Sequence, residues 1–564
     1  MSINSKSAPA FFPETYEFWA ALKQGTLLVK TCLSCQQSHF YPRVYCPLCG
    51  SSRTQWQVAS GRGTVYSFSI PRKAKPPVAS AVIELEGGVR LHSVIREADL
   101  FGLKIDQPVI VYPRISGDEV ALAFTTVAAE EARAYSRRIS DAAADIPGLH
   151  PLHDRTCSKA AVIGAGTMGI GITMALVNAG IPTVLIDIDD VAVERGMAKI
   201  RERYSASVAR EHLDAHTVNQ RLELISVSTS YEAVGDADAV IEAVWEQMEL
   251  KQAVFAQIDT YAKPGALLGT NTSGLDVNAI ASATNRPQDV IGLHFFTPAQ
   301  SMKLLEVVRG RVTSDATISR AMSLGYKLGK IAVLVESCSG FVGNRIFRQR
   351  EMQARALLLE GASPEQIDQL LMEFGMPMGC FELQDMTGTV ELLYRRRQTE
   401  GGTDWLGDRM YEAGRLGQKT GKGYYRYEPG NRKPMPDPDL QPLLEAASRQ
   451  AGINRRRIED DEVMERLILP MINESCRLID EGVVGQATDV DAVWLHGYGW
   501  PTWRGGILYY ADQLGATHVC KRLQSLSEQH GNAFKPAPLL SQVAAAGGRL
   551  TELPPRTQRS VAFS

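Results

Sequence analysis

The chain has 564 residues, of which 44% are apolar and 22% are charged, and this is an ordinary globular composition. At ~100–200 residues per domain, the length predicts about three to five domains. The net charge of −3 argues against a protein dedicated to nucleic acids, which usually carries a strong basic excess, so we expect no nucleic-acid partner.

No segment predicts insertion into a membrane. Residues 160–186 are uncharged over a length that could span a bilayer, but their glycines and Pro182 break them into strand, turn, helix and strand. The N-terminus lacks the basic start and apolar run of a secretory signal. We therefore expect a cytoplasmic protein without a membrane partner.

Periodicity divides the chain into regions of different fold class. In the first 128 residues, a short helix is followed by short alternating runs, which predict a small β-barrel or sandwich. From Lys159 to Glu336, strands alternate with helices, which is the pattern of a parallel sheet with crossovers, and the remainder has helical periodicity. The predicted regions are 1–128, a polar linker at 129–157, then 158–336, 337–430 and 455–560.

The helical remainder contains an internal repeat. Residues 344–368 parallel residues 465–491, and each segment is followed by an Asp that lies three residues before a Gly. The repeat predicts two similar helical units in tandem, and chance similarity of two amphipathic helices is the alternative. The two Asp–Gly pairs are Asp385 with Gly388 and Asp512 with Gly515.

Two Cys-x-x-Cys pairs lie close together near the N-terminus. Each pair can present two thiolates to one metal ion, and four thiolates fill the tetrahedral shell of Zn²⁺. We therefore predict a structural zinc site without an open coordination position, and four free thiols or a redox pair are the alternatives. The predicted ligands are Cys32, Cys35, Cys46 and Cys49.

A glycine-rich turn follows the first strand of the alternating region. The spacing Gly164-x-Gly166-x-x-Gly169 permits a tight turn, a close approach to a pyrophosphate and close packing of helix on strand. Asp187 ends the next predicted strand, where its carboxylate can bind ribose hydroxyls and repel a 2′-phosphate. The pattern predicts an NAD site, with Thr167 and Met168 in the same loop.

His294 is the natural candidate for a general base. Removing a hydride from a secondary alcohol requires a base for the hydroxyl proton, and histidine titrates near neutral pH. Glu306 could orient the ring and stabilise the imidazolium. Taken alone, His294 could equally be a satisfied histidine at the end of a strand.

Four segments resemble the L-3-hydroxyacyl-CoA dehydrogenase family, and in particular the dehydrogenase half of multifunctional fatty-acid oxidation enzymes. They are NTSGL (271–275), GLHFFTPAQSMKLLEVV (292–308), SGFVGNRIF (339–347) and GQKTGKGYYRY (417–427). The resemblance covers about 159–560 and implies an NAD-binding Rossmann domain followed by two tandem all-α C-terminal domains. The implied catalytic residues are His294, Glu306, Ser273 and Asn344, and the implied cofactor contacts, besides the glycines and Asp187, are Glu246, Lys251, Ser273 and Lys419.

The sequence departs from the family pattern at three places. Thr297 stands where the family often has an Asn that contacts the cofactor. The lysine and serine that contact CoA in some members have no clear match here, and Arg201 or Arg203 could substitute for them. In the second helical copy Glu465 occupies the position of Asn344, so we expect that copy to serve packing.

The N-terminal region resembles the zinc-ribbon/OB-fold proteins that accompany acyl-CoA enzymes, notably thiolases. This resemblance implies a thiolase or an enoyl-CoA hydratase as partner, and OB folds that bind oligonucleotides are the competing comparison. Together the two resemblances imply NAD-dependent oxidation of an L-3-hydroxyacyl-CoA to a 3-oxoacyl-CoA. The alternatives are a scaffold for acyl-CoA enzymes with vestigial activity, and oxidation of a free hydroxy acid.

Overall fold

The computed structural model of the protein describes residues 13–71, 78–117, 119–142 and 157–555. They form two compact units. The first unit holds the chain up to Tyr135 together with two short later segments, Glu373–Gly375 and Thr502–Gly505, and the second holds the rest. In the part of the chain described here, no helix combines the length and the apolar character needed to cross a membrane.

The first unit begins with a helix and a small sheet. In this sheet the order is β2-β1-β3, and β1 is antiparallel to both neighbours. Phe18 and Leu22 on the helix are fully buried, because their spacing of four residues puts both on one face. The elements are α1 (Tyr16–Lys23), β1 (Leu28–Cys32), β2 (Ser38–His39) and β3 (Thr54–Val58).

A closed five-stranded barrel completes the first unit and confirms the predicted OB-type fold. Its strand order is β10-β6-β5-β4-β7, and β10 closes it by pairing antiparallel with β7 and parallel with β6. The alternating run at 108–115 forms two strands, with a break at Pro113, which has no N–H to donate to a ladder. The strands are β4 (Arg62–Ser69), β5 (Ala79–Leu85), β6 (Arg90–Ile95), β7 (Pro108–Val111), β8 (Arg114–Ser116), β9 (Glu119–Ala121) and β10 (Phe124–Thr126), of which β8 and β9 form a separate pair.

The first part of the predicted linker at 129–157 is helical. Residues Val127–Ala142 form a helix, α2, with Ala129, Ala132 and Ile139 buried. The high polarity of the segment suggested a linker, but its few apolar residues recur at helical spacing and therefore share one buried face. Residues 143–156 lie outside the described part of the chain.

An eight-stranded sheet forms the α/β part of the second unit. The strand order is β13-β12-β11-β14-β15-β16-β17-β18, so the order reverses at β11, as in doubly wound folds. The strands are β11 (Ala160–Ile163), β12 (Thr183–Ile186), β13 (Ile225–Ser228), β14 (Ala239–Glu242), β15 (Leu267–Thr270), β16 (Val290–Phe295), β17 (Leu304–Arg309) and β18 (Ile331–Glu336). The helices are α3 (Thr167–Asn178), α4 (Asp190–Ala209), α5 (Ala215–Glu223), α6 (Met248–Tyr261), α7 (Val277–Ala281) and α8 (Asp315–Lys327).

The sheet is not parallel throughout, contrary to the prediction from the alternating pattern. β17 runs antiparallel to β16 and parallel to β18. All the other adjacent strands, from β13 to β16 in the strand order, run parallel to each other. The connection between β16 and β17, residues 296–303, contains no crossover helix. A short direct connection of this kind can join only antiparallel neighbours.

The remainder of the second unit is helical. A long helix opens each half, and these two helices, α9 and α15, pack against each other. The elements are α9 (Gly343–Glu360), α10 (Pro364–Phe374), α11 (Cys380–Thr387), α12 (Thr389–Glu400), α13 (Trp405–Glu412), α14 (Gln441–Gln450), α15 (Asp460–Asp480), α16 (Ala487–Gly497), α17 (Ile507–Leu514), α18 (Ala516–His530) and α19 (Pro538–Ala546).

The two halves repeat the same carboxylate anchors, as the internal repeat predicts. Asp368 accepts hydrogen bonds from two backbone amides at the start of α11, and Asp491 does the same at the start of α17. Asp385 and Asp512 each accept from two consecutive backbone amides further along the chain. Equivalent side chains thus make equivalent bonds, so the repeat is structural and not a chance similarity.

The two helical copies exchange ion pairs across the α9–α15 contact. Arg345 of the first copy pairs with both oxygens of Glu481 at 2.6 and 2.8 Å, and also with Glu474. Arg466 of the second copy pairs with both oxygens of Glu360 at 2.6 and 2.7 Å. The two arginines occupy equivalent positions in the two copies, and so do Glu360 and Glu481. The copies therefore pack about a local two-fold axis.

We expect Arg466→Met to destabilise the helical part by about 2–3 kcal/mol, because it leaves Glu360 as a largely buried carboxylate without its bidentate partner. Urea unfolding followed by fluorescence measures this, since the indoles of Trp494 and Trp500 are buried in the second copy. Arg457→Met, which removes an exposed pair with Glu459, is the control and should change the midpoint little. Equal midpoints for the two variants would contradict the assignment of stability to the exchanged pairs.

Candidate active site

A histidine faces a glutamate at the centre of the candidate site. In the antiparallel register of β16 with β17, His294 lies directly opposite Glu306. His294 Nδ1 lies 2.6 Å from Glu306 Oε2, and both side chains are buried. An ionised carboxylate can only accept, so Nδ1 carries the proton of this bond and Nε2 is left able to take up another.

The N-terminus of α9 borders this pair. Gly343 donates its backbone N–H to Glu306 Oε1 at 3.0 Å. Its neighbour Asn344 donates from Nδ2 to the backbone carbonyl of Ser273 at 3.2 Å. Contacts within the site thus include all four of the predicted catalytic residues, which come from the loop after β15, from β16, from β17 and from α9.

Ser273 is tied to a network of carboxylates and an ammonium group. Glu246 Oε1 accepts from the backbone N–H of Ser273 at 2.7 Å and from the hydroxyl of Thr272 at 2.7 Å. Lys251 Nζ lies 3.3 Å from Glu246 Oε2 and donates to Glu242 Oε1 at 2.7 Å. Since Lys251 is 1% exposed, its ammonium reaches these carboxylates rather than an open crevice.

The network keeps Glu246 ionised. Burial by itself raises the pKa of this carboxyl, but the Lys251 ammonium and the hydrogen bonds from Thr272 and Ser273 outweigh burial and hold the pKa below its usual value. The ionised carboxylate accepts the Ser273 N–H, so its charge fixes the loop that carries Ser273.

The glycine turn has the geometry that its spacing predicts. Gly164 has φ +105°, and a Cβ there would lie 2.6 Å from the carbonyl oxygen of Ala243. A Cβ on Gly169 would lie 1.7 Å from the carbonyl oxygen of Gly164. Around Gly166, which caps α3, a Cβ would meet no atom within 4 Å, so the helix N-terminus faces open space.

Asp187 follows β12 and contacts the same turn. Its carboxylate accepts the backbone N–H of Ala165 at 2.6 Å and that of Ile188 at 2.7 Å, and its side chain is half-buried. Each oxygen of a carboxylate has two lone pairs, so these two bonds leave acceptor positions for a ligand. Asp187 is therefore placed to support the turn and to bind hydroxyl groups beside it.

Of the other predicted cofactor contacts, Thr167 and Met168 lie at the glycine turn, whereas Lys419 bonds a residue of the first helical copy. Thr167 begins α3, and Met168 accepts a hydrogen bond from Thr297 Oγ1 at 2.9 Å, so Thr297 touches the glycine turn. Lys419 pairs with Glu391 of α12 rather than with a residue of the turn.

The four predicted zinc ligands form a cluster in the first unit. Their sulfur atoms all lie within 4.8 Å of one another, and the separations are 3.6 Å for Cys32–Cys49 and 3.8 Å for Cys35–Cys46. A tetrahedral zinc ion with Zn–S bonds of ~2.3 Å requires sulfur separations of about 3.8 Å. The four thiols therefore fit a closed structural zinc site.

Sequence reasoning missed several residues of the site. Glu242 is fully buried and accepts from Lys251 and from Thr270, and its signal was a charged residue at the end of an apolar strand. Asn271 accepts the backbone N–H of Phe295 at 2.9 Å and so ties the β15 loop to β16. Phe296 packs 4.4 Å from the imidazole of His294, and no sequence pattern distinguished it.

Family comparisons match both units of the chain. "3-hydroxyacyl-CoA dehydrogenase, NAD binding domain" matches residues 159–338, and "3-hydroxyacyl-CoA dehydrogenase, C-terminal domain" matches twice, at 340–427 and 463–553. In the first unit, "ChsH2, rubredoxin-like zinc ribbon domain" matches residues 19–55 and "ChsH2, C-terminal OB-fold domain" matches residues 56–112.

Curated relatives include two proteins named peroxisomal bifunctional enzyme. The Danio rerio protein is 39% identical over 70% of this chain and 57% of its own length. The Homo sapiens protein is 37% identical over 79% of this chain and 63% of its own length. The chain thus spans about three fifths of the length of these relatives.

Two solved structures share the fold of most of the second unit. The 3-hydroxybutyryl-CoA dehydrogenase of Escherichia coli has a TM-score of 0.60 and 28% identity, and the match covers 70% of this chain and 99% of that one. The dehydrogenase part of multifunctional enzyme 1 from C. elegans has a TM-score of 0.54 and 27% identity, and the match covers 72% and 96%. The chain therefore belongs to the 3-hydroxyacyl-CoA dehydrogenase family and carries an N-terminal zinc ribbon and OB fold of the ChsH2 type.

Proposed function

We propose that the protein oxidises an L-3-hydroxyacyl-CoA to the 3-oxoacyl-CoA with NAD. The observation that carries this proposal is the 2.6 Å contact between His294 and Glu306. His294 is near the carboxyl end of β16, and the glycine turn follows the carboxyl end of β11. Because the two strands run in the same direction, the base and the turn lie at the same edge of the sheet, where ligands of such sheets bind.

The residues at this edge fit a dinucleotide. The open space around Gly166 at the N-terminus of α3 suits a pyrophosphate, since free backbone N–H groups and the helix dipole favour negative charge there. The remaining acceptor positions of Asp187 suit ribose hydroxyls. When bound, NAD⁺ supplies the acceptor for the hydride that leaves C3 of the substrate.

His294 takes the proton of the 3-hydroxyl group at Nε2. During this transfer Nδ1 stays bonded to Glu306, whose charge stabilises the imidazolium as it forms. The bond from Gly343 N–H to the other oxygen of Glu306 holds the carboxylate in place. Both side chains are buried, so little water competes for these bonds.

Ser273 and Asn344 are placed to bind the oxygen on C3 or the imidazole. The Ser273 hydroxyl lies 3.1 Å from Glu246, and Asn344 is held by its bond to the Ser273 carbonyl. Both side chains thus already have defined positions before substrate arrives. With its one hydrogen donated to Glu246, the Ser273 hydroxyl offers lone pairs, whereas Asn344 keeps a second Nδ2 hydrogen to donate. Preorganised groups of this kind contribute more to the rate than groups that must reorient.

We propose that an open groove between α4 and α5 holds part of the CoA moiety. It has a volume of about 470 Å³ and mixes apolar and polar walls. Arg201, one of the two arginines expected to replace the missing CoA contacts, is among its lining residues and would pair with a phosphate. The lining residues are Arg201, Ser205, Val208, Ala209, Ala215, Val218, Asn219 and Leu222.

We expect His294→Gln to lower the rate of hydride transfer by about 10²–10⁴-fold, because the variant has no base for the hydroxyl proton. Single-turnover kinetics with acetoacetyl-CoA and NADH measure this in the reverse direction. NADH fluorescence on binding serves as the control and should be unchanged, since His294 lies on β16 and not in the glycine turn. Near-normal turnover of the variant would refute the assignment of the base.

We expect Asp187→Ser to narrow the preference for NADH over NADPH, because the variant removes a charge that repels the 2′-phosphate. The ratio of kcat/KM for the two cofactors measures the preference. Asp189→Ser is the matched control: Asp189 caps α4 by accepting from Ala192 N–H, and Ser caps equally well, so its ratio should stay that of the unmutated protein. Equal use of both cofactors by the unmutated protein would contradict the role of Asp187.

We also propose that the first unit recruits a thiolase or an enoyl-CoA hydratase. A thiolase cleaves the 3-oxoacyl-CoA that the dehydrogenase forms, and a hydratase supplies its substrate. Four thiolates saturate a zinc ion, so the cluster offers no catalytic position. Tethering the enzymes of consecutive steps raises the local concentration of one near the other.

The zinc ribbon carries exposed apolar side chains that support this proposal. Val44 is 51% exposed, and Tyr45 and Leu48 are each 64% exposed. All three lie between Cys35 and Cys49, on the segment that the predicted zinc site would hold rigid. Large apolar groups clustered on a rigid surface are typical of sites that bind another protein.

We expect the double variant Tyr45→Glu with Leu48→Glu to lose co-purification of a thiolase or hydratase while keeping its turnover and its zinc content. Tyr326→Glu is the control, since Tyr326 is 76% exposed on α8 in the other unit. Mass spectrometry identifies the captured enzyme, and metal analysis verifies the ribbon. Loss of turnover in a folded double variant would show instead that the ribbon contributes to catalysis.

We propose a reducing compartment, the cytoplasm, as the place of action. All nine cysteines of the chain lie among the described residues, and none forms a disulfide. The curated relatives are named as peroxisomal, so microscopy of the tagged protein decides between the two locations.

A further inference from the structure

A tyrosine of the second helical copy reaches the active-site asparagine of the first. Tyr498 follows α16 directly, and its hydroxyl donates to Asn344 Oδ1 at 2.7 Å. The same amide donates from Nδ2 to the carbonyl of Ser273. The amide of Asn344 is therefore held at both ends, by one residue of the NAD-binding domain and one of the second helical copy.

The chemistry of the partners fixes the direction of both bonds. A backbone carbonyl can only accept, so the nitrogen of the Asn344 amide must face Ser273 and its oxygen must face Tyr498. Tyr498 must then be the donor. Burial raises the pKa of Tyr498 well above its ordinary value, so its hydroxyl keeps the proton at neutral pH.

The ring of Tyr498 is itself held in place. It stacks on Trp494 at 4.6 Å between ring centroids and makes an edge contact with Phe296 at 5.5 Å. Gly343 leaves the space that the ring occupies, since a Cβ there would lie 2.2 Å from it. The tyrosine thus packs on the backbone of Gly343, which bonds Glu306, while its hydroxyl bonds Asn344.

We propose that Tyr498 is a positioning residue that orients the Asn344 amide for the oxygen on C3, so that the second helical copy completes the active site of the first. This inference rests on the proposed dehydrogenase function. One hydrogen on Asn344 Nδ2 bonds Ser273, and the fixed orientation presents the other to the substrate. Without the Tyr498 hydroxyl, the amide oxygen loses its donor and the amide can turn.

The second copy has no amide at the position that corresponds to Asn344. Glu465, which occupies the position of Asn344 there, pairs with Arg522 at 2.5 and 2.7 Å and supplies no amide. The second copy therefore contributes through Tyr498 and not through a second set of catalytic side chains.

The test is Tyr498→Phe in the full-length chain, assayed with acetoacetyl-CoA and NADH. The variant keeps the ring and its packing, so we expect kcat to fall about tenfold, the effect of one lost buried hydrogen bond, with KM for NADH unchanged. Tyr427→Phe is the matched control. Like that of Tyr498, its hydroxyl is buried, but it donates to the carboxylate of Asp385 at 3.0 Å and not to Asn344. This variant should therefore lose stability and keep its kcat.

A double-variant cycle separates positioning from packing. If Tyr498 acts through Asn344, then Tyr498→Phe should lower kcat no further in an Asn344→Ala background, whereas a packing role would give independent effects. Unchanged kcat in Tyr498→Phe, or additive losses in the cycle, would overturn the positioning role and leave the dehydrogenase function standing. An unmutated chain without turnover would overturn the proposed function and this role with it.

Discussion

One antiparallel strand pair in an otherwise mainly parallel sheet determines where the chemistry lies. β17 returns beside β16, and their register sets His294 opposite Glu306. Side chains alternate between the faces of a strand, so a slip of one residue would turn Glu306 to the other face of the sheet. Gly343 bonds Glu306 of this pair, and the next residue, Asn344, bonds the carbonyl of Ser273.

The helical copies matter because they hold α9 at this pair. Arg345, which anchors α9 to the second copy through Glu474 and Glu481, directly follows Asn344 in the chain. The same helix start therefore carries the contact with the catalytic strands and the contact with the second copy. The packing between the two copies therefore also fixes the position of Asn344 in the site.

The first unit is organised by a different constraint. Its sheet β2-β1-β3 is small, and the four cysteines add the constraint that a core of this size lacks by itself. The barrel has its own buried core, with Val65, Ile83 and Phe124 fully enclosed.

Local patterns in the sequence were sufficient for the glycine turn and the cysteine cluster, because each depends on spacing within a short segment. The repeat required a comparison of two distant segments, and the roles of His294 and Glu306 came from the resemblance of whole segments to a family. Only the tertiary structure decided the antiparallel direction of β17, the place of Lys251 behind Glu246, and the bond between Tyr498 and Asn344. Tyr498 and Asn344 are separated by 154 residues, so no local pattern links them. Contacts of this kind follow from how whole elements pack, which periodicity and spacing do not encode.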